Sequence, residues 1–227
     1  MTTAAVRSVQ IASVCIAIAA ALVGCSHASS QGEKTTGNAL IAADRFGSLF
    51  LTDADFNGLL GVPLAGGSEY DAPRSDQSSD DDVSKACSMM NTALASEPVY
   101  GKDYLRYQLK EPQSPPDQVQ RYDGQVDYAV VLYPQEENAK AAFQRLAVGF
   151  HMCQLSDGHH GWFTLGEDSA SKLTWTTNEA NGVDHLCAFD SRRARNVFIT
   201  ARVCGEKKPS PVDVSKIAGA VEAKVNA

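Results

Sequence analysis

Cys87, Cys153, Cys187 and Cys204 are the strongest constraint on how this chain folds. Four cysteines in one domain give two cross-links in an oxidising compartment and four thiols in a reducing one. The other end of the chain speaks to the compartment. Ile11 to Val23 is almost wholly apolar, broken by Ser13, and follows a lone cation, Arg7. A membrane span needs about 20 apolar residues, so this run is too short to be one. It has the length of a secretory h-region, and export would bring the cysteines into oxidising surroundings.

Leu22-Val23-Gly24-Cys25 closes that run. Processing with lipid attachment needs a small residue beside the modified cysteine, and the tetrapeptide resembles the lipobox of bacterial lipoproteins. The resemblance implies cleavage before Cys25, a thioether-linked diacylglycerol on its sulfur and a further acyl chain, such as palmitate, on its freed amine. Two or more chains anchor stably, where one is marginal. Residues 1–24 are therefore expected to be a signal peptide. Residues 25–37 would be the lipidated Cys25 and a polar tether, reaching on the order of 20 Å as a coil. The expected location is the extracytoplasmic face of the cell membrane, held through lipid on Cys25. The plainer alternative is a secreted protein with a cysteine near its cleavage site by chance.

Removing residues 1–24 takes away one cation, Arg7, and no acid, so the net charge moves from −7 to −8. An acidic surface argues against nucleic acid and against a polybasic membrane patch. The remaining chain, 38–227, is long enough for one domain with a real core. Cys15 leaves with the leader and Cys25 carries lipid, so four cysteines remain and three pairings are open. No C-x-x-C occurs, which disfavours zinc and thioredoxin-like chemistry. His185–Asp190 and Asn196–Val203 are apolar-rich runs around the polar Ser191–Arg195, a hairpin signal. Its antiparallel register can set Cys187 opposite Cys204, and Cys87–Cys153 follows by exclusion. By loop entropy the shorter and longer bridges contribute roughly 3 and 4 kcal/mol.

Thr52 can cap a short helix through the amide of Asp55, with Leu51 stapled onto Phe56 and Gly61 as its stop. Pro63 to Asp82 is rich in Gly, Ser and Asp and reads as a loop. Strands are expected at Tyr104–Lys110, Gln125–Tyr133, Trp162–Leu165 and Lys172–Thr177, beside the two of the hairpin. In Gln125–Tyr133 both faces carry apolar residues, the mark of a central strand. Ala139, Phe143, Leu146, Phe150 and Cys153 recur at helical spacing after Pro134. Ser210-Pro211-Val212-Asp213 would open a last helix with the core stripe Val214, Ile217, Ala218, Val221 and Val225. About six strands and four helices argue for α+β: a twisted, mainly antiparallel sheet with flanking helices and two disulfides.

Catalytic signatures are thin. G-x-S-x-G and H-E-x-x-H are absent. Ser169-Ala170-Ser171-Lys172 matches S-x-x-K but has no S-D-N or K-T-G partner and precedes a strand. Asp80-Asp81-Asp82 lacks the spacing of a calcium loop and suits a helix start. His159-His160, with His151 nearby, reads as a turn flanked by Gly158 and Gly161 rather than a metal site. Arg192, Arg193 and Arg195 form one dense basic patch at the expected hairpin tip. They could meet lipid head groups or an anionic wall polymer, though a solvated tip is the plainer reading. Trp162 and Trp175 are expected in the core, with a ligand platform as the alternative. No catalytic, cofactor-binding or metal residue is assigned.

The order of features from Cys87 to the C-terminus, within a match over roughly residues 40–225, resembles the PknH-like extracellular sensor domain of mycobacterial receptor Ser/Thr kinases, which also occurs as free-standing lipoproteins. The matching parts are Leu51-Thr52-Asp53, Cys87 on a helix and Phe143…Cys153 closing a long one. Trp162 with Leu165-Gly166 and Leu173-Thr174-Trp175 follow. Last come Cys187…Arg192…Asn196-Val197, Cys204 and a final amphipathic helix. The resemblance implies a twisted antiparallel sheet, the pairings Cys87–Cys153 and Cys187–Cys204, and a cleft for an unidentified ligand. It transfers no ligand-binding residue. The function expected is a lipid-anchored ligand-binding or sensor-like module that is not an enzyme, its ligand a small molecule or an envelope component. An envelope hydrolase with an unrecognised site and a protein-interaction lipoprotein are the alternatives.

Overall fold

Val126, Tyr128, Val130 and Leu132 alternate along the chain with Asp127, Ala129 and Val131, and all seven are buried. A strand with both faces buried must lie inside a sheet that is covered on both sides. The computed structural model describes residues 39–61, 64–74, 82–113, 124–156, 161–178, 185–206 and 213–227. Cys25, the expected leader and the expected tether lie outside these residues. So do Asp80, Asp81, His159, His160, Ser210 and Pro211.

A 3-10 helix at Ala43–Leu49 precedes α1 (Asp53–Leu60), β1 (Ala65–Tyr70), α2 (Asp82–Asn91) and α3 (Glu97–Tyr100). Next come β2 (Arg106–Gln113), β3 (Gln125–Leu132), α4 (Glu136–Gln154), β4 (Phe163–Asp168) and β5 (Lys172–Thr177). The chain closes with β6 (His185–Ala194), β7 (Val197–Glu206) and α5 (Val214–Asn226). The strands form one antiparallel sheet in the order β1-β2-β3-β7-β6-β5-β4. The α+β architecture expected from the sequence is what the chain adopts.

Two cores follow from the alternation in β3. On one face Ala129 and Val131 join Phe143, Leu146 and Phe150 of α4, with Cys87 and Met90 of α2. On the other, Val126, Tyr128, Val130 and Leu132 meet Phe56 of α1 and Ile217, Val221 and Val225 of α5. The Tyr128 hydroxyl accepts a hydrogen bond from the Leu51 amide at 3.1 Å, and its ring lies 5.6 Å from that of Phe56. Thr52 and Asp55 close the expected capping box, and Gly61 ends α1 at φ 65°.

Four expectations need correction. The sheet has seven strands among the described residues, not about six, because β1 lies inside the segment read as a loop. Its Gly66 and Gly67 suggested a turn but form a bulge in an edge strand. A Cβ on Gly67 would stand 2.0 Å from the Glu111 carbonyl oxygen, so only glycine fits there. Among the described residues six helices replace about four, since the 3-10 helix and four-residue α3 are too short to show a period. The last helix starts three residues later than expected: Asp213 is its N-cap, not Ser210, and accepts from the Ser215 amide at 2.9 Å.

The fourth correction concerns the arginines. β6 and β7 run on through the polar pentapeptide, and the turn is Arg195-Asn196, with Arg195 at φ 52°. Arg192 and Arg193 are therefore strand residues and not a basic tip. The Arg192 guanidinium makes two bonds to Asp190, at 2.9 and 2.8 Å, and one to Glu222 of α5 at 2.7 Å. It also donates to the Ser215 carbonyl at 3.1 Å. Gly219 leaves room for it, since a Cβ there would approach Arg192 to 3.2 Å. Arg193 pairs with Glu136 at 2.7 Å.

Burial raises the Asp190 carboxyl above its usual range, while the Arg192 hydrogen bonds oppose the rise. Arg192→Met would strand a fully buried carboxyl. It should cost about 3–5 kcal/mol in urea unfolding. A group whose folded pKa is raised stabilises the fold at low pH and loses that contribution as pH climbs. The deficit of Arg192→Met should therefore shrink on acidification, and adding Asp190→Asn should recover part of it at neutral pH.

Candidate functional site

α4 carries two apolar faces, and only one is needed by the core. Ala139, Phe143, Leu146, Phe150 and Cys153 point at the sheet and are buried. Val148, Met152 and Leu155 recur at spacings of four and three on the opposite side. They are 58%, 41% and 85% exposed. This second apolar stripe faces solvent and takes no part in the buried core.

Beside that stripe, α2 and α4 form the walls of a groove of about 510 Å³. Ala86, Met89, Val148, Gly149 and Met152 supply its apolar lining. The helices approach closely because Gly149 has no side chain: a Cβ there would reach Met89 Cε at 2.4 Å. The Cys87–Cys153 disulfide, with Cα atoms 4.9 Å apart, ties the same two helices. Cys187–Cys204 instead joins directly paired residues of β6 and β7, with Cα atoms 4.0 Å apart.

Charged side chains sit at the rim. Arg145 donates from Nε to the Val99 carbonyl at 3.0 Å, which holds its guanidinium against α3. Gly101, at φ 69°, leaves space for it; a Cβ there would stand 2.9 Å from an Arg145 terminal nitrogen. Lys85 lies 3.8 Å from Asp82, an exposed contact worth little. Methionine suits such a site because its flexible thioether adapts to ligands of varied shape.

Apart from Asp82, which lines the groove, the described residues singled out from the sequence for possible chemistry lie elsewhere. Ser169 is in the β4–β5 turn, where its Oγ accepts from the Lys172 amide at 3.1 Å, and Lys172 is paired with Glu167 at 2.6 Å. Ser169 and Lys172 thus serve the turn and its flanking strands, not a helix start. Trp175 is 1% exposed and stacks on Phe189 at 4.7 Å, so it is core and not a ligand platform. Asp82 begins α2, as a helix-start aspartate should. His151 is on α4, 3.0 Å from Asp168. Among the described residues no cluster of His, Cys, Asp and Glu is arranged to hold a metal ion. Asp127, raised by burial, is paired with Arg202 across β3 and β7. The sequence reading missed the groove itself. The spacing of Val148, Met152 and Leu155 would have exposed one wall of it.

A family model described as the PknH-like extracellular domain matches residues 41–224. The chain belongs to the PknH-like extracellular domain family. The match spans every strand and all but the last residues of α5. It gives the domain an extracytoplasmic, sensor-like role. The crystal structure of the extracellular domain of PknH from Mycobacterium tuberculosis is similar, with a TM-score of 0.62. It is 22% identical, and the match covers 84% of this chain and 99% of that one. At that identity the likeness concerns fold alone. No curated protein matches the chain. Among the described residues no helix is long and apolar enough to cross a membrane.

In this PknH-like domain the groove walls depend on the α2–α4 cross-link. Replacing Cys87 and Cys153 together with alanine should cost about 2–5 kcal/mol. Hydrogen exchange should show the loss of protection concentrated in α2, with β6 and β7 retaining theirs. Equal loss across the sheet would remove the special role given to this bridge.

Proposed function

We propose that this chain is a lipid-anchored, extracytoplasmic, sensor-like lipoprotein that binds a small ligand in the α2–α4 groove. The observation that carries the binding part is the unpartnered apolar stripe of α4, at the edge of a groove about 510 Å³ in volume. Small-molecule sites range over about 300–1,000 Å³ and combine an apolar lining with a few fixed polar groups. Ala86, Met89 and Met152 provide the first, and Arg145, held by Val99, provides the second. Family membership supports the sensor-like role and the location outside the cytoplasm. Lipid anchoring rests on Leu22-Val23-Gly24-Cys25.

Both parts can be tested on the full chain. Cys25→Ala should abolish incorporation of labelled fatty acid and release the protein from the membrane fraction; persistent labelling refutes the anchor. Native mass spectrometry of protein taken from its own membrane should find a small molecule retained. Val148→Asp, a change on an exposed position, should remove it without lowering the melting temperature. Equal retention by Val148→Asp moves the site away from the groove.

A further inference from the structure

We infer that the groove takes an amphiphilic anion, an aliphatic chain ending in a single carboxylate. This inference rests on the groove being the ligand site proposed above. The chain would lie along Ala86, Met89, Val148 and Met152, and the head group would meet Arg145 and Lys85 at the rim.

Three observations carry it. The lining between the helices is apolar and rich in methionine, whose unbranched side chains follow a flexible alkyl chain better than branched residues can. The rim carries two cations on a chain whose net charge is −7. Its one lining acid, Asp82, is 3.8 Å from Lys85 with both side chains largely exposed, a weak contact that an incoming anion can displace. Arg145 is the better placed of the two. Its Nε is spent on Val99, and Gly101 makes room for the guanidinium, so the fork is held before any ligand arrives. Among the described residues no acid pairs with it. A fixed guanidinium with unspent terminal nitrogens matches the two oxygens of a carboxylate. The size of the groove argues for this occupant over a partner helix. A stable protein interface needs about 800 Å² on each side, whereas this groove is confined to eleven lining residues.

The experiment uses the full chain carrying Cys25→Ala, which leaves every described residue native and needs no detergent. The probe is cis-parinarate, a fluorescent fatty acid. Competitors are palmitate, hexadecanol and hexadecylamine, which share a chain and differ in head charge. Palmitate should displace the probe, and the neutral and cationic heads should each need at least about tenfold more. Lys85→Glu, at an exposed position, should weaken palmitate about tenfold. Arg145→Lys should weaken it as well, since the charge remains but the fork is lost. Met152→Asp should abolish probe binding with an unchanged melting temperature. Equal displacement by all three competitors, or unaltered palmitate binding by Lys85→Glu and Arg145→Lys, overturns the inference. No probe binding, with another molecule retained by the wild type and lost from Val148→Asp, overturns the ligand class and leaves the groove as the site. Retention indifferent to Val148→Asp overturns both.

Discussion

The pairing of β3 with β7 is the constraint on which the rest depends. It runs unbroken from Gln125 opposite Cys204 to Leu132 opposite Val197. Both strands are buried on both faces along most of that length, and they join the β1–β2 half of the sheet to the β6–β5–β4 half. Because side chains alternate with period two, a shift of one residue would exchange the two cores. Tyr128 would then leave Phe50 and Phe56, and Val131 would leave the α4 side. The cross-strand pair Asp127–Arg202 adds a polar mark to the register, since neither partner has an equal substitute one step away.

Once the register is set, the helices divide by face. α1, α5 and the 3-10 helix close one side, and α2, α3 and α4 close the other. The two sides are finished differently. Arg192 reaches from β6 to Glu222 and the Ser215 carbonyl, so α5 is fixed to the sheet by a buried charge network. On the opposite side α2 and α4 are fixed to each other by Cys87–Cys153, while Glu136 and His151 of α4 meet Arg193 and Asp168 of the sheet in exposed contacts. A helix pair held mutually can keep a groove between its outer edges while its inner edges fill the core. That separation lets α4 serve packing through Phe143 and Phe150 and present Val148 and Met152 outward.

What was legible in the sequence was whatever local period or chain proximity could encode. The stripes of α4 and α5 named their buried residues because three or more turns of consistent spacing repeat the same message. The capping box at Thr52 depends on residues three apart and was equally plain. β1 was lost because Gly66 and Gly67 signal a turn unless the Glu111 backbone is known to lie against them. The run Ser191–Arg195 looked like a loop because much of its polarity is satisfied by partners beyond the run: Thr200 for Ser191, Glu222 as well as Asp190 for Arg192, and Glu136 for Arg193. The groove was half legible. Its α4 wall is a helical spacing, but that α2 forms the other wall is a fact of tertiary packing.

Asn196, at the β6–β7 turn, works as a knot. Its side-chain amide donates to the Ile41 and Tyr133 carbonyls at 3.1 and 2.7 Å, and its oxygen accepts from the Ile41 amide at 2.8 Å. Arg195 beside it donates to the Ala39 carbonyl at 3.3 Å. The start of the described chain is thereby stitched to a turn 155 residues away in sequence. Mechanically, tension applied upstream of Ala39 is received first by these side-chain bonds and is passed to the central strands, where β3 and β7 share the load. The α2–α4 pair lies on the far side of β3 from Ile41, outside that line of force. A pull at the N-terminal end therefore enters the sheet beside β3 and β7, on the face turned away from the groove.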